Sequence, residues 1–251
     1  TVLGSSKKNH CRIRHRFDFR NVTAPSEFDV TVIGLGPVGC LGAFLLAAAG
    51  LRVVVFEKAH DVFTLPRAVI IDGEIIRALQ PSGLAETVCS MMQPIRNGER
   101  AGFVDSKRKW LFSGHALATA SSRRQPANMF NQPELESFLR TQVTQHPNVT
   151  TYVGDEVSEF TNHPNQVIVK ASSENEDIST RALYLIACDG ASSAKRSALN
   201  INWRDLQNDQ YWLAVDVVMQ SLHSLPNEVL QTCDPERIHT YVATKDPYRR
   251  W

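Results

Sequence analysis

The chain has 251 residues, 43% of them hydrophobic and 21% charged, enough to bury one large core or two modest ones. Its 27 Lys and Arg against 26 Asp and Glu leave a formal charge of +1, so composition builds in no attraction to nucleic acid or an anionic membrane. No apolar run approaches the roughly 18 residues of a bilayer span, and the cysteines at 11, 40, 89, 188 and 233 form no CxxC pair, which reads as reduced thiols in a cytoplasmic setting.

Residues 1–26 carry Lys7, Lys8, Arg12, Arg14, Arg16 and Arg20 against Asp18 without a helical apolar stripe, which predicts a disordered basic leader. An Arg-rich, acid-poor stretch also suits an organelle transit sequence, and the first residue is not Met, so the natural start is expected upstream. The run Val30-Thr31-Val32-Ile33-Gly34-Leu35-Gly36-Pro37-Val38-Gly39 then reads as a strand, a tight turn and the start of a helix. Gly34 permits the turn, Gly36 lets backbone approach a phosphate, and Gly39 lets the helix lie close to the sheet. Gly39, Ala43 and Ala47 recur every four residues, a small-residue stripe for that contact.

Leu51 to Phe56 is a β-branched run ending at Glu57, which lies 23 positions after Gly34, where an acidic group accepts from ribose hydroxyls. An acid there repels a 2′-phosphate, so the pattern favours FAD or NAD over NADP. Asp72 is placed to cap a helix that buries Ile75, Ile76 and Leu79, and Pro81-Ser82-Gly83 interrupts it. Gly102-Phe103-Val104 and Trp110-Leu111-Phe112 flank a basic turn and read as a surface hairpin. Asn131-Gln132-Pro133-Glu134 opens a helix whose buried stripe is Leu135, Leu139 and Val143.

Strands are predicted at 149–153, 157–160 and 166–171, as an antiparallel meander, followed by a last apolar strand at 181–187. That strand runs into Cys188-Asp189-Gly190, which presents a carboxylate at a ligand edge. Tyr211 to Met219 alternates, with Trp212, Ala214 and Asp216 opposite Leu213, Val215 and Val217, as a strand packed unequally on two faces. The eight histidines include no pair at helical metal-ligand spacing, so no metal is expected, and no GxSxG is present.

Taken together, Asp29 to Lys58, Leu65 to Leu84 with Pro-Arg-Ala and Asp-Gly-Glu, Asn131-Gln132-Pro133, and Leu185 to Arg196 with a DGxxSxxR pattern resemble the class A flavoprotein aromatic hydroxylases. The resemblance is strongest to the 3-(3-hydroxyphenyl)propionate and phenol hydroxylase branch and spans about residues 28 to 250. It implies an α/β chain: a Rossmann-like FAD-binding domain at 28–100 and 130–200, and a mostly antiparallel substrate-domain sheet drawn from 101–129 and 201–251. It further implies that Gly34, Gly36 and Gly39 hold the FAD pyrophosphate with backbone at Pro37 and Val38, and that Glu57 binds the adenosine ribose beside Lys58.

By the same resemblance Arg67 reaches the FAD, Gln132 lies on the flavin side, and Val157 touches adenine through its backbone. Asp189 and Gly190 would serve both FAD and the nicotinamide donor, NADH or NADPH. Residue chemistry alone leaves Arg67 open as a surface ion-pair residue and Asp189 as a helix or turn cap. The implied reaction is hydroxylation of a small phenolic or aromatic substrate with O2, and no residue is singled out as catalytic. A homodimer is compatible with the family. Family members carry a second flavin motif, a Gly-Asp-Ala-type turn, and nothing after Arg196 matches it, so a C-terminally truncated chain with weak FAD binding and impaired activity is expected. The alternatives are another FAD- or NAD-dependent oxidoreductase on this fold, or a non-catalytic nucleotide-binding remnant.

Overall fold

The structure, a computed structural model, describes residues 27–94, 100–115, 127–172, 177–221 and 225–251. The expected leader at 1–26 and part of the expected second domain, 116–126, lie outside the described residues. The chain runs β1 (Phe28–Ile33), α1 (Pro37–Ala48), β2 (Val53–Glu57), β3 (Ile70–Asp72), α2 (Gly73–Leu79), α3 (Ala85–Ser90) and β4 (Gln93–Pro94). There follow β5 (Arg100–Asp105), β6 (Trp110–His115), β7 (Ala127–Met129), α4 (Gln132–Thr144), β8 (Val149–Val153), β9 (Glu156–His163), β10 (Gln166–Ser172) and β11 (Asp177–Ala187). The last described elements are α5 (Ala194–Ala198), β12 (Asp216–Val218), β13 (Val229–Cys233), β14 (His239–Ala243) and β15 (Tyr248–Arg250).

Strand order in the first sheet is β8-β2-β1-β11-β10-β9. Its first four strands are parallel and its last three antiparallel, with β11 belonging to both sets. The residues explain the two-sided burial. In β2, Val53 and Val55 face a core shared with Cys40, Ala43 and Ala47 of α1 and Leu135, Leu139 and Val143 of α4. Val54 and Phe56 point the other way, onto Val157, Val167 and Val169 of the meander, so a continuous apolar strand has both faces covered. Gly39, Ala43 and Ala47 are all buried on α1, as their spacing predicts.

A second sheet has the order β12-β15-β14-β13-β5-β6 and is antiparallel except where β13 runs parallel to β5. A small sheet, β3-β7-β4, completes the described strands. The fold is thus the expected α/β arrangement of a Rossmann-like sheet with a mostly antiparallel partner sheet. Three local expectations are corrected. Strand β8 is not part of the meander: it runs parallel to β2 at the opposite edge, because α4 carries the chain across the sheet face before it returns. In α2, Ile76 and Leu79 are buried but Ile75 is 39% exposed, since a seven-residue helix has only a narrow face toward the core. The alternating stretch from Tyr211 forms a strand only at Asp216–Val218, where β15 supplies backbone partners. Trp212 and Leu213 stay 67% and 84% exposed, with no strand beside them among the described residues.

Candidate functional site: a nucleotide cradle at the carboxyl edge of the parallel sheet

Parallel pairing of β2, β1 and β11 brings three strand ends together: Glu57, the Gly34 turn and Asp189. The turn is sewn to both neighbours, Gly34 N–H donating to the Phe56 carbonyl at 2.7 Å and Cys188 N–H to the Ile33 carbonyl at 2.7 Å. Gly34 has φ of +100°, a left-handed region that favours glycine, and a Cβ there would run into the Cys188 carbonyl oxygen. A Cβ on Gly39 would collide with the Gly34 carbonyl oxygen, so this glycine sets how closely α1 packs on the turn. Gly36 differs, because a Cβ there would meet nothing within 4 Å.

Gly36 is also the N-cap of α1, and no side chain caps that helix end. Helix N-termini leave their first N–H groups without intrahelical acceptors and carry about half a positive charge. Open space in front of Gly36, with the uncapped amides of Val38 and Gly39 behind it, therefore fits the pyrophosphate of a dinucleotide. Pro37 costs nothing at the first helical position, where an N–H would lack a partner anyway.

Glu57 turns its carboxylate back onto the glycine turn, Oε2 accepting from Leu35 N–H at 2.6 Å and Oε1 from Ala59 N–H at 2.8 Å. Each oxygen keeps a further lone pair for a ribose hydroxyl. Lys58 is exposed and sits 3.7 Å from Glu156. At the other end of the edge, Asp189 accepts from Ser193 Oγ at 2.6 Å and from Lys195 N–H at 3.3 Å. Partial burial pushes the Asp189 carboxyl up, but these two bonds and the Lys195 charge outweigh it and hold its pKa below the ordinary value. Asp189 thus braces the first turn of α5, whose N-cap is Ser193, and Gly190, with φ of +87°, lies in the turn between them.

Val157 is buried in β9, and its carbonyl accepts from Lys195 Nζ at 2.8 Å, so α5 is pinned to the meander. Gln132 faces the Arg67 loop: its Oε1 accepts from the N–H groups of Arg67 and Ala68 at 2.9 and 2.8 Å. The Arg67 guanidinium lies over the Phe63 ring at 4.8 Å, on an exposed surface. A groove of about 690 Å³ runs between the His60–Thr64 loop and the Pro133–Arg140 side of α4.

The structure brings Gly34, Gly36, Pro37, Val38, Gly39, Glu57, Asp189 and Gly190 to one edge, while Arg67 and Gln132 form a separate cluster. Sequence reading missed Arg140, Lys195 and Arg250. Arg140 donates to the Leu35 carbonyl, and Arg250 donates to the Pro66 and Arg67 carbonyls. The one signal for Arg140 was its position four residues after Glu136 on a helix already recognised as amphipathic.

Known proteins bear on this geometry. A family model described as "FAD binding domain" matches residues 27–250. The 3-(3-hydroxy-phenyl)propionate/3-hydroxycinnamic acid hydroxylase of Paraburkholderia xenovorans (strain LB400) is 30% identical over 230 residues, which is 89% of this chain and 35% of the relative. The enzyme of the same name from Comamonas testosteroni is 29% identical over 237 residues, 92% of this chain and 38% of its own length. The chain therefore spans little more than a third of the length of these curated relatives.

Among solved structures, p-nitrophenol 4-monooxygenase PnpA from Pseudomonas putida DLL-E4 superposes with a TM-score of 0.75 at 24% identity, covering 89% of this chain and 56% of PnpA. Aklavinone-11 hydroxylase in a ternary complex with FAD and aklavinone gives 0.74 at 23% identity, covering 90% of this chain and 45% of that one. At these identities the likeness is one of fold. With the family model spanning nearly all of the chain and the glycine turn, the acidic strand end and the DG loop converging on one sheet edge, this chain belongs to the FAD-binding-domain family.

Proposed function

We propose that this chain provides the FAD-binding part of a monooxygenase that hydroxylates a phenolic or aromatic ring, with NADH or NADPH as donor and O2 as oxidant. The observation that carries the cofactor is the uncapped start of α1 with open space at Gly36, flanked on the same edge by Glu57 and Asp189. Similarity to hydroxylases named for hydroxyphenyl substrates supports the ring chemistry; the chain spans 35% and 38% of them.

In this reading the backbone at Gly34, Gly36, Val38 and Gly39 binds the pyrophosphate, with Pro37 setting the helix start, and Glu57 orients the ribose with Lys58 nearby. Val157 offers backbone to the adenine, and Asp189 and Gly190 lie beside both FAD and the nicotinamide donor. Arg67, on a loop held by Gln132, reaches toward the flavin side. When bound, the flavin would accept a hydride from the nicotinamide and activate oxygen for transfer to the ring. The protein's own work is to position the two reactants and to keep water from them. Thiols at Cys40, Cys188 and Cys233 that form no disulfide among the described residues suit a cytoplasmic setting.

Titration of the purified chain with FAD, followed by quenching of flavin fluorescence, tests the cofactor. Saturable binding that ADP competes away is the expected result, and no binding at all would overturn the reading. Oxygen uptake coupled to NADH or NADPH oxidation and stimulated by a hydroxyphenyl propionate then separates a hydroxylase from a simple dehydrogenase.

A further inference from the structure

Arg140 is a cation in the wall of the groove that the cofactor reading does not use. Its Nε donates to the Leu35 carbonyl at 3.0 Å, and its Nη2 donates to Glu136 at 3.1 Å and lies 3.9 Å from Glu57 Oε2. The side chains of Arg140, Glu57 and Glu136 are only 13%, 12% and 6% exposed. Leu35 sits between Gly34 and Gly36, in the middle of the turn. Its N–H is held by Glu57 and its C=O by Arg140, with the Cys40 thiol also donating to that carbonyl at 3.1 Å, so opposite charges from β2 and α4 fix the two polar groups of this one residue.

We propose that Arg140 is a positioning residue for pyrophosphate recognition: through the Leu35 carbonyl it holds the glycine turn in the shape whose backbone donors meet the phosphates. The inference rests on the FAD reading above and adds a residue to it. Two carboxylates already surround the guanidinium, so it has no surplus charge to recruit an anion, and its effect passes through the backbone it holds. Glycines on either side of Leu35 leave the turn free to take other conformations, and a bracket that removes them lowers the ordering cost of binding.

The test compares Arg140→Lys and Arg140→Gln with the wild type, using the whole chain. Lys keeps the charge between the two carboxylates but lacks the Nε donor; Gln removes the charge as well. Amide hydrogen exchange is read without cofactor at Gly34, Leu35, Gly36 and Val38, with the β13–β14 hairpin as internal control. Affinity is then measured for ADP, which carries the pyrophosphate, and for adenosine, which does not.

Both variants are expected to speed exchange at Gly34 and Leu35, whose N–H groups are hydrogen-bonded in the turn, by about tenfold, with the hairpin unchanged, and to weaken ADP by about tenfold while adenosine holds its affinity. Unchanged exchange in the turn, faster exchange everywhere including the hairpin, equal loss for ADP and adenosine, or wild-type behaviour of Arg140→Lys would each overturn the proposal. A wild type that takes up neither FAD nor ADP would overturn the cofactor reading and the ligand half of this inference. The exchange measurement would still decide whether Arg140 holds the turn.

Discussion

Gly36 and Gly39 stand three positions apart and do opposite jobs. At Gly39 a methyl group would strike the Gly34 carbonyl oxygen, a backbone atom that cannot move without opening the turn. At Gly36 it would meet only empty space, and the residue's φ of −71° suits any amino acid. Gly39→Ala is therefore expected to destabilise the fold by about 3 kcal/mol or more, seen as a large drop in Tm. Gly36→Ala is expected to melt like the wild type and to lose about tenfold or more in FAD affinity, since the methyl fills the space a phosphate needs. Equal melting of the two variants, or undiminished FAD binding by Gly36→Ala, would contradict this. The motif already assigned Gly36 to the phosphate and Gly39 to packing, and the structure agrees with that division. What the pattern could not give is the atom that a methyl group on Gly39 would strike, because that depends on where the Gly34 carbonyl stands in space.

Among the elements, α5 shows how a short helix is secured. Five residues are too few to be stable alone, and three contacts hold it. Ser193 caps its first turn, Asp189 accepts from Lys195 N–H, and the 8% exposed Lys195 side chain crosses to the Val157 carbonyl. The Asp189 carboxyl is depressed in the folded chain, so the unfolded chain binds its proton more readily. The stability it contributes is fully present above the unfolded value near pH 3.9 and is lost as pH falls through the folded value. Thermal melts between about pH 5 and pH 2 should show the wild type losing stability more steeply than Asp189→Asn, whose amide does not titrate in this range. Parallel acid limbs for the two proteins would refute the assignment. Helix α4 was readable from its Asn131-Gln132-Pro133-Glu134 start to its Leu135, Leu139 and Val143 stripe, because those signals are local; that the Asn131 side chain caps it by accepting from Glu134 N–H came from the structure. The partner of β8 was not, because a strand's neighbour is chosen by the crossover that precedes it.

At the scale of the whole molecule, the buried apolar clusters of the two large sheets are separate among the described residues, and polar contacts tie the β15 end of the second sheet to the 66–67 loop, α4 and β4. Arg250 of β15 pairs with Asp216 through two bonds of 2.8 Å and also donates to the Pro66 and Arg67 carbonyls of the loop that Gln132 holds from the other side. Lys245 pairs with Glu134 at the start of α4, and Asp246 N–H donates to Gln93. Arg250→Ala is expected to cost about 1–3 kcal/mol and lower Tm by several degrees, with hydrogen exchange rising at Arg67 and Ala68. Unaltered exchange there would show that Arg250 does not tie β15 to that loop. By itself the sequence determined what is local: the glycine turn, the caps, the helix stripes and the strand ends, each written in neighbouring residues and readable by period and residue type. Only the tertiary structure decided that β11 lies beside β1, that Arg140 reaches Leu35 and that Arg250 reaches the Arg67 loop. Those contacts join residues from 105 to 184 positions apart, and no spacing rule along the chain encodes which distant side chain will end beside a given carbonyl.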